Sequence, residues 1–416
     1  MKFFRDMRVV GFMAASIFCI AFGRSNSRAD TLSLQQAVEL GLSLHPSVRA
    51  ARGELQAASG NFWERISPAS PRFRIENEEV PRQGSLSDYG RQKVSVSQGI
   101  DFPMLTYYRG RSARQTVRAA RAGYEVSLAE AKSEITMAYI DAWLFQKLAA
   151  VADTLASAAA SLADAGEKKY AAGATTSIER DRFRAQAEQF ARRRETAKLD
   201  FSLKLIELGQ LTGQKEDPYF DLADPGEVDT VLPNPAKISG ASAQVQKSQF
   251  ALKAAKAERS AAFYSFLPQI ELELFRQEDR QERLWGGAVE LSFPLWFGLS
   301  GRGKIQQAYG AVQQATAEAE QAWRHWQIGW FRATRSFENT KRRLQSLGEI
   351  GLPAARRAYH ASLRAYEVGR LGVTDLLATF LETQAAEREY LEVTRELWHW
   401  RTRVEVLLAG QAGATK

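Results

Sequence analysis

Apolar residues recur at helical spacing along most of this chain, and the pattern is interrupted twice by short runs in which apolar and polar residues alternate. An apolar stripe predicts a helix from Thr31 to His45. Pro46 suits the first turn of a second helix, which is predicted to end near Ile66. The segment between Arg111 and Ala165 contains no proline and one glycine, so it predicts a single helix of roughly 50–60 residues.

Three further long helices follow from the same pattern. One is predicted from about Thr176 to Leu208, and another from Gly301 to about Tyr366 with a kink near Gly348, Gly351 and Pro353. The last runs from Thr374 to Leu408. Helices this long cannot fold back into one compact core, so their apolar stripes are expected to bury each other in coiled-coil fashion.

The alternating runs predict two β-hairpins. In the first half, Phe73 and Ile75 alternate with charged residues, and a second run lies between Val94 and Phe102. In the second half, one run covers residues 270–274 and another residues 289–293. The predicted hairpins span about 71–103 and about 268–297.

The order of these signals occurs twice. Val94-Ser95-Val96-Ser97 corresponds to Val289-Glu290-Leu291-Ser292, and Leu211-Thr212-Gly213 corresponds to Leu408-Ala409-Gly410. A period of about 190 residues is too long for a solenoid repeat and indicates a duplicated half-protein. The predicted division is a first repeat over 30–213, a linker over 214–234, a second repeat over 235–410 and a tail over 411–416.

The first 29 residues have the features of a signal peptide. Lys2, Arg5 and Arg8 precede an apolar run, and Ser27-Arg28-Ala29 supplies small residues at the spacing of a cleavage site. The run of about fourteen residues is short for a transmembrane helix, which needs about 20, although an uncleaved anchor stays open as the alternative. The one cysteine, Cys19, lies in this segment, so disulfides and thiolate metal sites are excluded from a cleaved chain.

Charge and motifs argue against nucleic-acid binding and catalysis. The formal charge of +8 falls to +4 without the signal peptide, which is no nucleic-acid footprint. The four histidines stand apart, and no metalloprotease, phosphate-loop, nucleophile-elbow or dinucleotide motif occurs. The sequence therefore predicts neither an enzyme nor a cofactor or metal site.

Four strands per chain cannot close a membrane barrel alone. Lipid-exposed backbone groups all need hydrogen-bond partners, and membrane barrels have about eight strands or more, so two or three copies would be required. Aromatic residues favour membrane placement: Trp285 and Trp296 bracket one strand, and Tyr89 and Phe102 bracket its counterpart. The alternative is a soluble β-sandwich in which these aromatics fill the core.

Two segments between the long helices complete a resemblance. Tyr170 to Glu179 and Tyr366 to Asp375, within the duplicated order, resemble the periplasmic turns of the TolC-like outer-membrane efflux factors. The resemblance implies a mainly α-helical homotrimer in which each chain gives four strands to a 12-stranded β-barrel that continues into an α-helical barrel. It also implies an outer-membrane protein with a periplasmic extension, in contact with outer-membrane lipid.

The resemblance also assigns roles to these turns. They would dock a periplasmic adaptor (membrane fusion protein) through Tyr170, Gly173, Ser177, Tyr366, Gly369, Arg370 and Thr374. Glu367 and Asp375 would form the periplasmic gate, without the second acid that family members can carry where Ala378 stands here. Each glycine permits the left-handed turn that ends a helix, and Ser177 or Thr374 can cap the next helix.

The partner and cargo are less closely defined by the sequence. Ser97 to Pro103 followed by Gly110-Arg111 is most similar to the heavy-metal efflux branch, although Gly99 replaces a proline that is usual there. The implied partner is an inner-membrane pump of the proton-driven RND type, exporting small molecules or metal ions. Three alternatives stay open: a type I protein secretion duct, which would use an ABC transporter, a passive outer-membrane porin and, although no site constellation supports it, an enzyme of the cell envelope.

Overall fold

The computed structural model describes residues 31–80, 85, 89–213, 221–229, 231–232, 242–279, 282–293, 297–368 and 370–410. The side chains of 297–300, 367 and 373 are not described. The predicted signal peptide, the C-terminal tail, Trp296 and Gly369 therefore lie outside the described residues, as does the side chain of Glu367.

The first repeat contains four helices close to the predicted ones. They are α1 (Leu34–Leu44), α2 (Pro46–Ile66), α3 (Pro103–Ala171) and α4 (Ser177–Thr212). Ser33 closes a reciprocal capping box with Gln36 at the start of α1. At 69 residues α3 is longer than predicted, because it begins at a proline immediately after the strand run and continues to the tip.

The first repeat has two helices before its hairpin, whereas the second repeat has one among the described residues. Its helices are α5 (Ala243–Tyr264), α6 (Phe297–Ser346), α7 (Leu352–Glu367) and α8 (Val373–Leu408). The predicted kink is present as a π-helical turn over Leu347–Gly351 between α6 and α7. Pro353 follows it in the first turn of α7, and since proline cannot donate a backbone hydrogen bond, the wider turn accommodates the interruption.

The two predicted hairpins form one antiparallel sheet in the order β1-β2-β3-β4. The strands are β1 (Arg72–Glu78), β2 (Arg91–Ile100), β3 (Gln269–Asp279) and β4 (Arg283–Ser292). The two repeats meet through β2 and β3, where Val96 lies opposite Leu274. Each of β1 and β4 has a single neighbouring strand among the described residues, so both edges of the sheet are open.

The helices continue this open order. Next to the sheet, α3 packs against α2 and α5, and α5 packs against α6, so the helix order follows the strand order. Beyond the middle of the bundle, α3 lies between α4 and α8, and α8 packs against α6 and α7. Because α1 contacts α2, α3 and α4, one long edge of the chain comprises β1, α2, α1 and α4, and the other comprises β4, α6 and α7.

The largest core cluster lies where the linker crosses the bundle. Leu32 and Leu222 form a parallel β-bridge, with hydrogen bonds of 2.9 Å from the Leu32 N–H to the Asp221 carbonyl and 3.0 Å from the Ala223 N–H to the Leu32 carbonyl. Tyr139 of α3 is fully buried beside the bridge, its hydroxyl 2.7 Å from the Leu32 carbonyl oxygen and 2.8 Å from that of Ala223. These contacts attach the first half of the linker to the helical bundle.

The second half of the linker is held by α8. Arg401 donates hydrogen bonds of 2.9 Å to the Val231 carbonyl and 3.0 Å to the Asp229 carboxylate. Val228 packs against the fully buried Phe337 of α6 and against Leu397. The linker is therefore an ordered belt around the helices in its described parts, which the weak periodicity of the sequence did not predict.

Tyr139→Phe tests this belt. Burial is the main cause that raises the pKa of Tyr139 from 10.0 to about 12. A folded-state pKa above the unfolded value contributes stability that is present below pH 10 and is lost as the pH rises towards 12. Tyr139→Phe should lower the free energy of unfolding by about 1 kcal/mol at neutral pH and remove this loss. Thermal unfolding in detergent at several pH values measures both effects.

Tyr124→Phe is the matched control, since the Tyr124 hydroxyl has no hydrogen-bond partner within the described residues. An equal loss of stability in both variants would contradict the role given to the Tyr139 hydroxyl.

Candidate functional site

The four-stranded sheet has two chemically different faces. Directly opposed residues of antiparallel strands share a face, and successive residues of one strand alternate between faces. The register assigns the following charged side chains to one face: Arg72, Arg74, Glu76, Glu78, Arg91, Lys93, Glu271, Glu273, Asp279 and Glu290. The other face carries mainly apolar ones: Phe73, Ile75, Val94, Val96, Ile100, Ile270, Leu272, Leu274, Trp285, Val289 and Leu291.

Ion pairs across strands connect the charged face. Lys93 Nζ lies 3.0 Å from a carboxylate oxygen of Glu273, and Arg91 bridges Glu78 at 3.4 Å and Asp279 at 3.7 Å. Arg91 and Lys93 belong to the first repeat, whereas Glu273 and Asp279 belong to the second. A polar face of mixed sign is suited to line a water-filled space.

The apolar face is exposed in the isolated chain. Phe73 is 67%, Leu274 73% and Trp285 79% exposed, although all three lie in a well-paired sheet. Large contiguous apolar surfaces of this kind mark contact with a membrane or another protein. Near the turn end the face becomes polar again, where Arg276 lies opposite Trp285 and pairs with Glu278 at 2.9 Å.

The predicted aromatic girdle divides between the two ends of the sheet. Trp285 and the half-buried Tyr89 both lie toward the hairpin turns. Phe102 lies at the opposite end, as the residue that precedes the first turn of α3. Trp296 is outside the described residues, so its part in a girdle stays a prediction.

A cluster of aromatic residues lies where strands join helices, and it was not among the predicted site residues. Phe62 and Trp63 lie in the last two turns of α2, and Tyr107 and Tyr108 lie in the first two turns of α3. Phe263 and Tyr264 end α5, and Phe266 follows them. Tyr108 stacks on Tyr264 with ring centroids 5.3 Å apart, and Trp63 is 65% exposed. The signal was available in the sequence, because each aromatic pair stands beside a predicted strand.

This junction cluster extends the apolar surface of the sheet. Trp285 and the exposed Phe293 are eight residues apart, about 19 Å along the membrane normal at ~3.4 Å per residue and a tilt of about 45°. A barrel needs an apolar band of about 25 Å. The strands alone are short for this band, and exposed aromatics such as Trp63, Tyr107 and Phe263 lengthen it on the helical side.

The tip between α3 and α4 is a compact turn. Gly173 has φ of +69°, the left-handed conformation that the sequence predicted for it. Its N–H donates to the Tyr170 carbonyl at 2.9 Å, and the Ala174 N–H donates to the Lys169 carbonyl at 2.8 Å. The Arg180 guanidinium carbon lies 4.3 Å from the centroid of the Tyr170 ring, which fixes the ring against α4.

The predicted helix caps at the tips are wrong by one or two residues. Thr176, not Ser177, caps α4, since its hydroxyl accepts a 3.3 Å hydrogen bond from the Glu179 N–H and Ser177 is already helical. At the second tip Gly372 holds the cap position, and Thr374 is the second residue of α8. A cap residue is extended and precedes the first helical residue, whereas Ser177 and Thr374 are already helical.

The second tip is described in part. The Arg370 N–H donates to the Ala365 carbonyl at 2.9 Å, and Tyr366 lies half-buried in the last turn of α7. Asp375 is exposed in the first turn of α8, a position in which the helix dipole favours a carboxylate. The predicted gate partner Glu367 is not described at its side chain, so the pair stays a prediction.

Two further properties bear on function. Among the described residues, no group of three or more His, Cys, Asp or Glu side chains is arranged to hold a metal ion. One stretch of α3 is apolar and long enough to cross a membrane, with a mean hydropathy of 1.2. Length and composition alone are weak evidence, and α3 packs against α4 through Ala156, Ala159 and Phe190 in the manner of a coiled coil.

Thr176→Ala tests the corrected cap. Loss of the hydroxyl should destabilise the first turn of α4 by about 1 kcal/mol, which increases hydrogen exchange at the Glu179 amide about five-fold. Ser177→Ala is the matched control and should leave that exchange unchanged. The reverse pattern would restore Ser177 as the cap.

Comparison with known proteins gives a consistent result at the level of structure. No protein-family model matches the sequence, and no curated protein matches it. Solved structures do match over most of the chain. The outer membrane channel CmeC of Campylobacter jejuni has a TM-score of 0.76 at 15% identity, covering 91% of this chain and 86% of that one.

Two other channels are equally similar. The outer-membrane channel OprN gives a TM-score of 0.76 at 19% identity, covering 91% of this chain and 90% of its own. CusC, whose structures are described as showing transmembrane channel formation, has a TM-score of 0.75 at 14% identity. The match covers 93% of this chain and 95% of CusC. These similarities establish a shared fold and do not separate the heavy-metal branch from others. The resemblance seen in the sequence is confirmed: this chain has the fold of the TolC-like outer-membrane efflux factors.

Proposed function

We propose that this chain is the outer-membrane channel of a tripartite efflux system. It carries small molecules or metal ions from the periplasm and an inner-membrane pump to the exterior, and it catalyses no reaction. Solved structures of the same fold are described as outer membrane channels, CmeC, OprN and the open state of Neisseria gonorrhoeae MtrE among them. This similarity supports a location in the outer membrane with a periplasmic extension.

The two-faced sheet with open edges is the observation that carries the proposal. Its apolar face suits lipid and its charged face suits water, but β1 and β4 each leave a row of backbone groups without a strand partner among the described residues. In hydrocarbon such edges must be closed. Three copies give a 12-stranded barrel wide enough for a duct, whereas two give a small barrel filled by side chains.

The helical tips supply the contacts with partners in this proposal. Both hairpins leave the same end of the sheet, because β2 and β4 run in the same direction into α3 and α6. Their tips therefore point away from the membrane, where Tyr170, Arg370 and their neighbours would dock the periplasmic adaptor. Asp375, repeated three times, would form the charged constriction of the gate. The partner pump is of the proton-driven RND type.

Gly173→Val tests the function of the first tip. A β-branched residue at φ of +69° costs about 1–2 kcal/mol and should distort the turn, so export should be lost while membrane insertion is kept. Ala172→Val is the matched control, because the neighbouring residue is also exposed and has an ordinary φ of −83°.

The effect is measured as growth of a strain that lacks its own copy of this protein and expresses one of the variants. Growth is compared in the presence of ethidium and of copper, cobalt and zinc salts. Equal resistance with both variants would contradict the role of this tip. If the unmodified protein confers resistance only to the metal salts, its cargo is metal ions.

Conductance in a planar bilayer tests the channel itself. The purified protein should insert as a channel that is mostly closed, because its gate opens only with the adaptor in place. A constitutively open pore would instead identify a passive porin, and a protein that never inserts would contradict the membrane role of the sheet.

A further inference from the structure

One edge of the chain carries an exposed apolar patch at the level of the linker. On α4, Leu199, Leu203 and Ile206 are 58%, 49% and 39% exposed, and their spacing places them on one side of the helix. On the adjoining α1, Leu40 and Leu44 are 45% and 49% exposed. These five residues are called the α1–α4 patch.

The opposite edge carries a projecting apolar pair. Ile328 and Phe331 of α6 are 59% and 65% exposed and lie three residues apart, on one side of the helix. The neighbouring Trp330 and Ala333 face inward and are buried against Val404 of α8. One side of α6 therefore packs in the chain's own core, while Ile328 and Phe331, called the α6 pair, face away from it.

Both surfaces lie at the same level of the bundle. The α1–α4 patch adjoins the core cluster of Leu208, Tyr139 and the linker residue Leu222. The α6 pair adjoins the cluster of Trp330, Val404 and the linker residue Leu232. Since the linker crosses the helices at this level, the two surfaces occupy equivalent heights on the two long edges.

We propose that the α6 pair of one protomer packs on the α1–α4 patch of a second copy of this chain. The proposal rests on the trimeric duct and names the residues that hold its periplasmic half together. The open edges of the sheet fall on the same two sides, with β1 on the patch side and β4 on the α6 side. A head-to-tail contact between two different surfaces of one chain closes into a ring when the rotation between copies permits it. In the proposed trimer the same seam would run from the barrel into the helices.

Disulfide cross-linking in intact cells tests this contact. The one cysteine of the sequence, Cys19, lies in the predicted signal peptide, so introduced cysteines are the only thiols of a cleaved chain. Leu203→Cys combined with Phe331→Cys in the full-length protein should give a covalent trimer on a non-reducing gel after mild oxidation. Each single variant should stay a monomer on that gel.

Ile178→Cys with Phe331→Cys is the matched control pair. Ile178 belongs to the same helix as Leu203 and is more exposed, at 71% against 49%, but it stands at the tip end of α4. This pair should give no cross-link. A cross-link from the control pair, or from Phe331→Cys to a different protein, would overturn the proposal.

Charge substitution provides the second measurement. Phe331→Asp would bury a carboxylate against leucines and should reduce the trimer fraction in mild detergent about tenfold, while Ile178→Asp should leave it unchanged. Adding Leu203→Lys to Phe331→Asp should restore the trimer. Because the side chain at 331 is exposed within one protomer, circular dichroism should show the same helix content in all variants.

The outcomes separate this proposal from the proposed function. A wild-type trimer that forms without the expected cross-link and tolerates Phe331→Asp would overturn the seam and leave the channel intact. A wild-type protein that is monomeric in the membrane would overturn both.

Discussion

Unpaired backbone groups at the edges of the sheet are the constraint on which this structure depends. The sheet places lipid-compatible side chains on one face and charged side chains on the other, yet β1 and β4 each have one strand neighbour among the described residues. An unsatisfied backbone group in hydrocarbon costs several kcal/mol, so a single chain would not be stable in a membrane. The open order continues into both helical layers, as expected for one segment of the proposed ring.

The duplication explains how one chain provides two compatible edges. Each repeat supplies one hairpin and one pair of long helices, and the repeats join through β2 and β3 and through α3 and α8. The linker stabilises this join by pairing with Leu32 on one side and binding Arg401 on the other. Tyr139 of α3 is buried beside the Leu32–Leu222 bridge, and its hydroxyl contacts the Leu32 and Ala223 carbonyl oxygens. Burial raises the pKa of this phenol, which keeps it protonated.

Periodic features of the fold were predictable and single contacts were not. The strand runs, the long helices, the break before Pro353 and the left-handed Gly173 follow from local rules of spacing and backbone freedom, so the sequence was sufficient for them. The cap at Thr176 depended on where the helix begins, which patterns place only to within a residue or two. The order of the linker arises from contacts between distant segments, such as the Leu32–Leu222 bridge, and a single sequence does not display those contacts. The aromatic residues beside the predicted strands were visible in the sequence, but the stack of Tyr108 on Tyr264 was not.

The copy number of the assembled protein tests the central claim most directly. Native mass spectrometry of the full-length protein, extracted from outer membranes in mild detergent, reports how many chains close the ring. The open edges predict a closed ring with no stable monomer, and a barrel wide enough for a duct requires three chains. A monomer that remains folded in the membrane, or an assembly in which the edges are closed by a different protein, would contradict the account.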